Sequence, residues 1–381
     1  MAKRRIGICF GGYCPLHQGH MDVIMKAKKE NDICYVIVCG YDNEPRGWEI
    51  NLDLKERFKL ISEFFKDDEQ IRVSSINDTE LGLDESMSDH NWRVWQTRVY
   101  EYLDTDKVFK TGGKAGWDGH IVTWYVAESF YKSSIEKNNV IDERTSYFTD
   151  VKVEYVPKIN QVSGTAIRRN PVRYWNKITK PFQPYLCKNI LIIGTASEGK
   201  STLVRDISRY FNIPYAEEYG RTYMADKKIT DIDLTVDDFM QFLDGQDYSC
   251  IINRCDSQNG IFISDTDNTV TLMYAQAYVE DPNINISEQD YKKLYDHAKE
   301  IQKSSKFKWD YIFIFPPNKD FVDDGTRYMK QSSMDERYNN FAKLMKLVND
   351  FYPEVSRVFL DKSFYENFIE VKNYINNLIE G

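Results

Sequence analysis

Gly194-Thr-Ala-Ser-Glu-Gly199-Lys200-Ser201 satisfies G-x-x-x-x-G-K-[ST] in full, and each residue type in it suits the binding of a polyphosphate. The glycines let backbone N–H groups turn inward around phosphate, and a helix starting at Lys200 adds the positive end of its dipole. Lys200 reaches the β- and γ-phosphates and the Ser201 hydroxyl ligates Mg²⁺, so Gly194, Gly199, Lys200, Ser201 and Thr202 form an expected ATP-binding set. Gly260-Ile-Phe-Ile-Ser-Asp265-Thr-Asp267 is an apolar run ending in acids, the place for a Mg²⁺-organising aspartate at Asp265. Glu217-Glu218-Tyr-Gly-Arg221 follows a short strand, so a carboxylate there can orient or deprotonate an acceptor hydroxyl. Glu218 and Asp265 are rivals for that role, with Arg221 and Asp267 as further substrate-binding candidates. Arg327 and Arg337 lie in a polar, turn-prone region and are expected to close over the γ-phosphate. Together these parts predict a small-molecule kinase.

A different constellation stands in the first half. Gly11-Gly12-Tyr-Cys-Pro-Leu-His17-Gln-Gly19-His20 follows an apolar strand, with two histidines flanking a glycine at the mouth of a helix. Histidines three apart can aim both imidazoles at one anion. Imidazole donors and the helix dipole can then neutralise charge on a phosphorane-like transition state. His-x-x-His also suits a metal, but five histidines in total and no companion cysteine cluster argue against zinc. Far downstream, Ser163-Gly-Thr165-Ala-Ile-Arg168 offers hydroxyls, N–H groups and a forked guanidinium to a polyphosphate. Ser163 is also placed to cap a helix.

Alternating short apolar runs and helical stretches must position these groups. Strands are expected at Arg5–Phe10, Ile33–Gly40, Ile71–Ile76, Lys107–Thr111 and Val151–Val156, with helices near Gly19–Glu30, Leu52–Phe65 and Asn91–Leu103. The rhythm restarts with Asn189–Ile193 and a helix from Lys200, then Gly260–Ser264, Tyr311–Phe315 and Val355–Leu360. Such alternation predicts an α/β protein with parallel sheets. Lys180-Pro-Phe-Gln-Pro-Tyr185, with two prolines, suits a stiff connection. The expected organisation is therefore a first domain over 1–178, a linker at 179–187 and a second domain over 188–381.

The 381 residues suffice for two domains. With 42% apolar and 29% charged residues, disordered and low-complexity chains are excluded. Fifty Lys+Arg against 59 Asp+Glu leave a net charge of −9, which argues against nucleic-acid or anionic-membrane partners but not against small phosphorylated ligands. No apolar run is long enough to span a bilayer, and Ile6–Phe10 is too short for a signal-peptide core. Seven cysteines without a close C-x-x-C pair are expected as buried or inert thiols, which suits the cytoplasm.

Gly-Gly-x-x-x-Pro-x-His-x-Gly-His with the downstream Ser-x-Thr-x-x-Arg resembles the HxGH nucleotidyltransferases, which have a Rossmann-like fold. Joined to a C-terminal P-loop kinase, it resembles the NadR family of bifunctional nicotinamide-nucleotide adenylyltransferases and ribosylnicotinamide kinases. Val162–Trp175 is similar to that family's inter-domain signature. Glu218-Tyr-Gly-Arg221, Ile263-Ser-Asp-Thr-Asp267 and Asp324-Gly-Thr-Arg327 are similar to its kinase half. The resemblance covers nearly the whole chain.

It implies phosphorylation of nicotinamide riboside by the second domain. The first domain would then transfer AMP from ATP to nicotinamide mononucleotide, giving NAD and pyrophosphate, with Mg²⁺ in both halves. The resemblance implies His17 and His20 at the transferring phosphate. Gly11, Gly12, Ser163, Thr165 and Arg168 would hold the triphosphate. Repressor members carry an N-terminal helix-turn-helix domain, for which the strand beginning at residue 4 leaves no room. The glycine-rich Thr111–Ile121 departs from the family pattern and is expected as an active-site loop. Trp92, Trp117 and Trp124 are the tryptophans considered for stacking on nicotinamide. Rival expectations are a transferase–kinase fusion for another cofactor precursor, and a nucleotide-sensing regulator with degenerate sites. Oligomeric state stays open, a homo-oligomer included.

Overall fold

Strands that are apolar on both faces can only be satisfied inside a sheet covered on both sides, and the burial of Ile6, Ile8, Val36, Ile37 and Val38 follows from that. The computed structural model describes residues 4–83, 88–105, 121–138, 150–157, 162–281, 286–319, 321 and 333–380. The chain divides into two units, Met1–Leu186 and Cys187–Gly381.

The first unit holds β1 (Arg5–Gly11), β2 (Ile33–Gly40), β3 (Ile71–Asn77), β4 (Ile121–Val126) and β5 (Asp150–Tyr155) in the order β3-β2-β1-β4-β5, all parallel. The order reverses between β1 and β4, so a crevice opens at the carboxyl end of β1. The strand expected at Lys107–Thr111 lies outside the described residues. β4 itself, Ile-Val-Thr-Trp-Tyr-Val, was not anticipated. Its β-branched and aromatic residues fit a strand, but the glycines just before it obscured the signal. Asp53 starts the helix Leu54–Phe64 through a reciprocal capping box with Glu56.

The second unit holds β6 (Lys188–Gly194), β7 (Tyr215–Ala216), β8 (Ile261–Asp265), β9 (Tyr311–Phe315) and β10 (Ser356–Phe359) in the order β10-β9-β6-β8-β7, again parallel. β6 is central, and its carboxyl end delivers the P-loop. Residues 179–187, expected as a linker, include a 3-10 helix at Lys180–Leu186 whose Phe182, Gln183 and Leu186 are buried. Among the described residues no helix is long and apolar enough to cross a membrane.

Arg57 is fully buried, and it donates to Glu44 and to the Gly12 carbonyl. Loss of the guanidinium strands the Glu44 carboxylate in the interior, a penalty of about 3–5 kcal/mol. Arg57→Ala is expected to destabilise the first unit by that amount in denaturant unfolding. Tryptophan fluorescence reads this unit selectively, because only Trp309 lies in the other one.

Candidate active sites

In the first unit the Gly11–His17 turn carries the histidines from β1 into the helix Gln18–Glu30. His17 is the helix N-cap residue and His20 lies one turn in; the His17 carbonyl accepts from the His20 and Met21 amides at 2.9 and 3.0 Å. The two imidazoles stack with centroids 3.8 Å apart and an interplanar angle of 25°, and Tyr13 packs edge-on to His20 at 4.9 Å. The pair is braced from behind: Thr179 donates to the Leu16 carbonyl from both its amide and its hydroxyl, and Gln18 donates to the Asn176 carbonyl. Asn176 and Thr179, just beyond the Val162–Trp175 stretch, thus buttress the histidine turn.

Ser163 caps the helix Gly164–Arg169 by accepting from the Ala166 amide at 3.1 Å. That helix docks closely on the histidine turn. A Cβ on Gly164 would lie 2.9 Å from the Cys14 carbonyl oxygen, so any side chain there must push the two apart. Arg168 donates to that carbonyl at 2.6 Å and to the Thr165 hydroxyl at 3.3 Å, and pairs with Glu49. Its guanidinium is nine-tenths buried and held in one orientation by these partners. Gly11, Gly12, His17, His20, Ser163, Thr165 and Arg168 therefore converge on the carboxyl end of β1.

Beside this point lies a cavity of about 490 Å³ lined by Phe10, Gly12, Arg46, Asp78, Trp92, Trp95 and Tyr131 among others. Trp92 is the one considered tryptophan that reaches it. Trp124 is fully buried in the core, and Trp117 and the Thr111–Ile121 segment are not among the described residues, apart from Ile121 at the start of β4. Arg46, Asp78, Trp95 and Tyr131 were not anticipated. They come from separate segments: Arg46 and Asp78 follow β2 and β3, while Trp95 and Tyr131 lie on the helices Asp89–Thr105 and Ser129–Asn138. Burial, reinforced by Glu44 and opposed by Arg46, pushes the Asp78 carboxyl up to about 6.

In the second unit Gly199 adopts φ +87, a backbone that favours glycine, and a Cβ there would meet the Phe364 ring at 2.5 Å. Lys200 heads the helix Lys200–Phe211 and folds back to donate to the Thr195 carbonyl at 2.7 Å. Asp265, at the end of β8, is buried and accepts from Ser201, while its Oδ1 has no hydrogen-bond partner. Burial raises its carboxyl, and Lys200 is the strongest opposing charge. Glu218 is the N-cap residue of the helix Tyr219–Lys227 and accepts from Arg221 at 3.2 Å. Both side chains line a cleft walled by Met224, Phe239, Phe242 and Tyr274. A more open cleft of about 570 Å³ beside the P-loop is lined by Thr202, Arg209, Phe364 and Tyr365.

Two candidates stand elsewhere than expected. Arg337 is not open to the P-loop mouth: it is buried, pairs with Glu198 inside the loop, and donates to the Lys319 carbonyl at 2.6 Å. Asp267 is turned into the protein, where it caps the helix Asn268–Val279 through Thr269 and accepts from Tyr352. Arg327, Asp323 and Asp324 lie outside the described residues. All seven cysteines are unpaired thiols, and burial raises those of Cys9, Cys14, Cys39, Cys187 and Cys250.

Two parallel α/β units, one with a stacked HxGH pair and one with a complete P-loop, define a nucleotidyltransferase fused to a P-loop kinase. Residues 8–170 match the cytidylyltransferase-like family and residues 189–361 match an AAA domain family. The chain is similar to NadR proteins along nearly its whole length. It is 25% identical over 371 residues to the trifunctional NAD biosynthesis/regulator protein NadR of Escherichia coli strain K12, covering 93% of this chain and 79% of that protein. To the Salmonella typhimurium protein of the same name it is 29% identical over 232 residues, or 58% of this chain and 50% of that protein. A crystal structure of NadR protein in complex with NR superposes with a TM-score of 0.81 at 28% identity, over 100% of this chain and 97% of that one. Another, in complex with NAD and AMP-PNP, gives 0.80 at 27% identity over 99% and 97%.

Two outcomes follow from the geometry. The folded-state pKa of Asp78 exceeds its ordinary 3.8, so a charging penalty develops as pH rises from about 4 to about 6 and persists above. Asp78→Asn is expected to raise the first unit's stability at pH 7.5, by at most about 3 kcal/mol and less for solvent screening, with the gain vanishing near pH 3.5. A melting series across pH checks this. Glu49 is half exposed, so its contact with Arg168 is worth about 0.2–1 kcal/mol. Glu49→Gln should therefore lower the first unit's KM for ATP by up to about fivefold in steady-state kinetics.

Proposed function

We propose that the chain is a bifunctional NAD biosynthesis enzyme with two ATP-dependent activities on nicotinamide compounds. The second unit phosphorylates nicotinamide riboside, and the first joins the product to the AMP moiety of ATP, giving NAD and pyrophosphate. The observation that carries this is the stacked His17–His20 pair, with Arg168 held on the Cys14 carbonyl of the same turn, together with a complete Gly194–Ser201 P-loop in one chain that superposes over its whole length on a NadR structure.

In the kinase step the riboside 5′-hydroxyl attacks the γ-phosphorus, the bond to the β-bridging oxygen breaks, and ADP leaves. Glu218 lies on the cleft wall and accepts the hydroxyl proton, with Arg221 holding its carboxylate in place. Lys200 neutralises charge on the transferred group, and the aromatic walls of the 570 Å³ cleft seat the adenine. The donor set fits Mg²⁺: Ser201 supplies a hydroxyl and Asp265 a buried oxygen without a partner. Among the described residues no cluster of three or more acidic, His or Cys side chains is arranged for a metal, and Mg²⁺ held largely by phosphates and water needs none. Held by Ser201 and Asp265, the ion would supply neutralisation of the phosphate charge. Arg337 acts at one remove, by holding Glu198 and so the shape of the P-loop.

In the adenylyl step a phosphate oxygen of the mononucleotide attacks the α-phosphorus of ATP, and pyrophosphate leaves. No protein nucleophile is needed, so positioning and charge stabilisation carry catalysis. His17 and His20 stabilise the developing charge at the α-phosphate. Arg168 exchanges Glu49 for the triphosphate, and Thr165 and the amides around Gly11 and Gly12 complete the cradle. The reading extends to small molecules as the only partners and to the cytoplasm, where free thiols and ATP coexist.

Purified protein with Mg-ATP and nicotinamide riboside is expected to form the mononucleotide and then NAD, followed by chromatography. Absence of both products overturns the proposal. Lys200→Ala should abolish only the riboside step and His20→Ala only the adenylyl step, each by a factor of at least about 100.

A further inference from the structure

One buried amide side chain links the segments that carry Glu218 and Asp265. Gln246, on the helix Val236–Cys255, is buried at the wall of the cleft that Glu218 and Arg221 line. Its Oε1 accepts from the Tyr219 amide at 2.8 Å. That amide is the first of the helix Tyr219–Lys227, where no intrahelical carbonyl can serve it. Glu218, the N-cap residue, does not cap the helix with its own side chain, so its carboxylate is not spent on that duty. The Gln246 Nε2 donates to the Ser264 hydroxyl at 3.3 Å. Ser264 has one O–H, which goes to the Thr266 carbonyl at 2.7 Å, so towards Gln246 it can only accept. Asp265 stands between these two residues, and Thr266 holds φ +86, a left-handed backbone that is costly for threonine. Gly245 adds a second grip: a Cβ there would overlap the Tyr219 ring, so the ring rests directly on the same helix.

We infer that Gln246 is a positioning residue for phosphoryl transfer, fixing the Glu218 carboxylate against Asp265 and so against the acceptor hydroxyl. This rests on the riboside kinase reading above. The two acids come from different elements, the start of a helix and the end of a strand. Burial raises the Asp265 carboxyl and the Glu218 charge opposes its ionisation further, so the two acids repel. Repulsion favours their separation unless the helix start is tied down. The tie must both donate and accept: the Tyr219 amide needs an oxygen, and the Ser264 oxygen needs a hydrogen. Glutamine meets both needs while neutral, and adds no third negative group beside the phosphates. Misplacing a reacting group by about 1 Å costs on the order of a hundredfold in rate. Gln246 therefore acts on the rate of transfer, whereas ATP binding rests on the P-loop.

The test is steady-state kinetics of nicotinamide riboside phosphorylation with Mg-ATP by the full-length protein, comparing wild type, Gln246→Met and Gln246→Glu. Methionine fills a similar volume and removes both bonds. It is expected to lower kcat at least about tenfold, with KM for ATP and for the riboside within about threefold of wild type. Glutamate, kept neutral by burial, offers a carbonyl oxygen to Tyr219 and an O–H to Ser264, and is expected to hold kcat within about threefold of wild type. A merely structural role predicts the reverse order, because a carboxyl costs more to bury than a thioether. Where Gln246→Met does not fold, Gly245→Ala carries the test. It improves helix propensity, displaces Tyr219 and is expected to lower kcat by a similar factor. An unchanged kcat, a rise in riboside KM alone, or Gln246→Glu slower than Gln246→Met overturns the inference and leaves the kinase reading intact. A wild type that does not phosphorylate the riboside overturns that reading and the inference with it.

Discussion

Each unit braces its phosphate-binding loop with one arginine–glutamate pair buried in the protein. In the first, Arg57 bridges Glu44 and the Gly12 carbonyl. In the second, Arg337 bridges Glu198, within the P-loop, and the Lys319 carbonyl. Glycine-rich loops gain close approach to phosphate at the expense of conformational order. A buried ion pair restores that order, because neither partner can leave without stranding the other's charge in a low dielectric. The rest of each site depends on this: the histidine stack and the Lys200–Ser201 helix start are only as well placed as the loops that precede them.

The architecture was largely legible in the sequence because it is written in local signals. Strands such as Ile33–Gly40 and Tyr311–Phe315 are runs of β-branched and aromatic residues, and both occur over the expected residues. The P-loop and the histidine pair are likewise contiguous, and the chemistry of each follows from spacing alone. β4 was missed because flanking glycines outweighed a six-residue apolar run.

The walls of the sites were far less legible. Arg46, Asp78 and Trp95 are unremarkable charges and rings in the sequence, far apart along it, and only the packing of helices at the carboxyl ends of the strands brings them to one cavity. Arg337 and Asp267 illustrate the opposite error. An arginine near a kinase's acidic turn and an acid after a strand have the right chemistry for phosphate or substrate. Their side chains are instead consumed by Glu198 and by a helix cap with Tyr352. Residue type tells what a group can do, and its partners tell what it is free to do.

The contact between Arg168 and Glu49 has a consequence for selectivity in a crowded ionic solution. The Arg168 guanidinium is not a bare charge that collects whichever anion passes. It carries an internal counter-ion, and a visitor binds only if it outcompetes a tethered carboxylate. A single phosphate or chloride ion offers little advantage over that incumbent, whereas a triphosphate reaching the histidines and the loop amides at once offers several bonds for the one it displaces. On the proposed reading, an acidic protein thereby keeps Arg168 in reserve for multiply charged nucleotides.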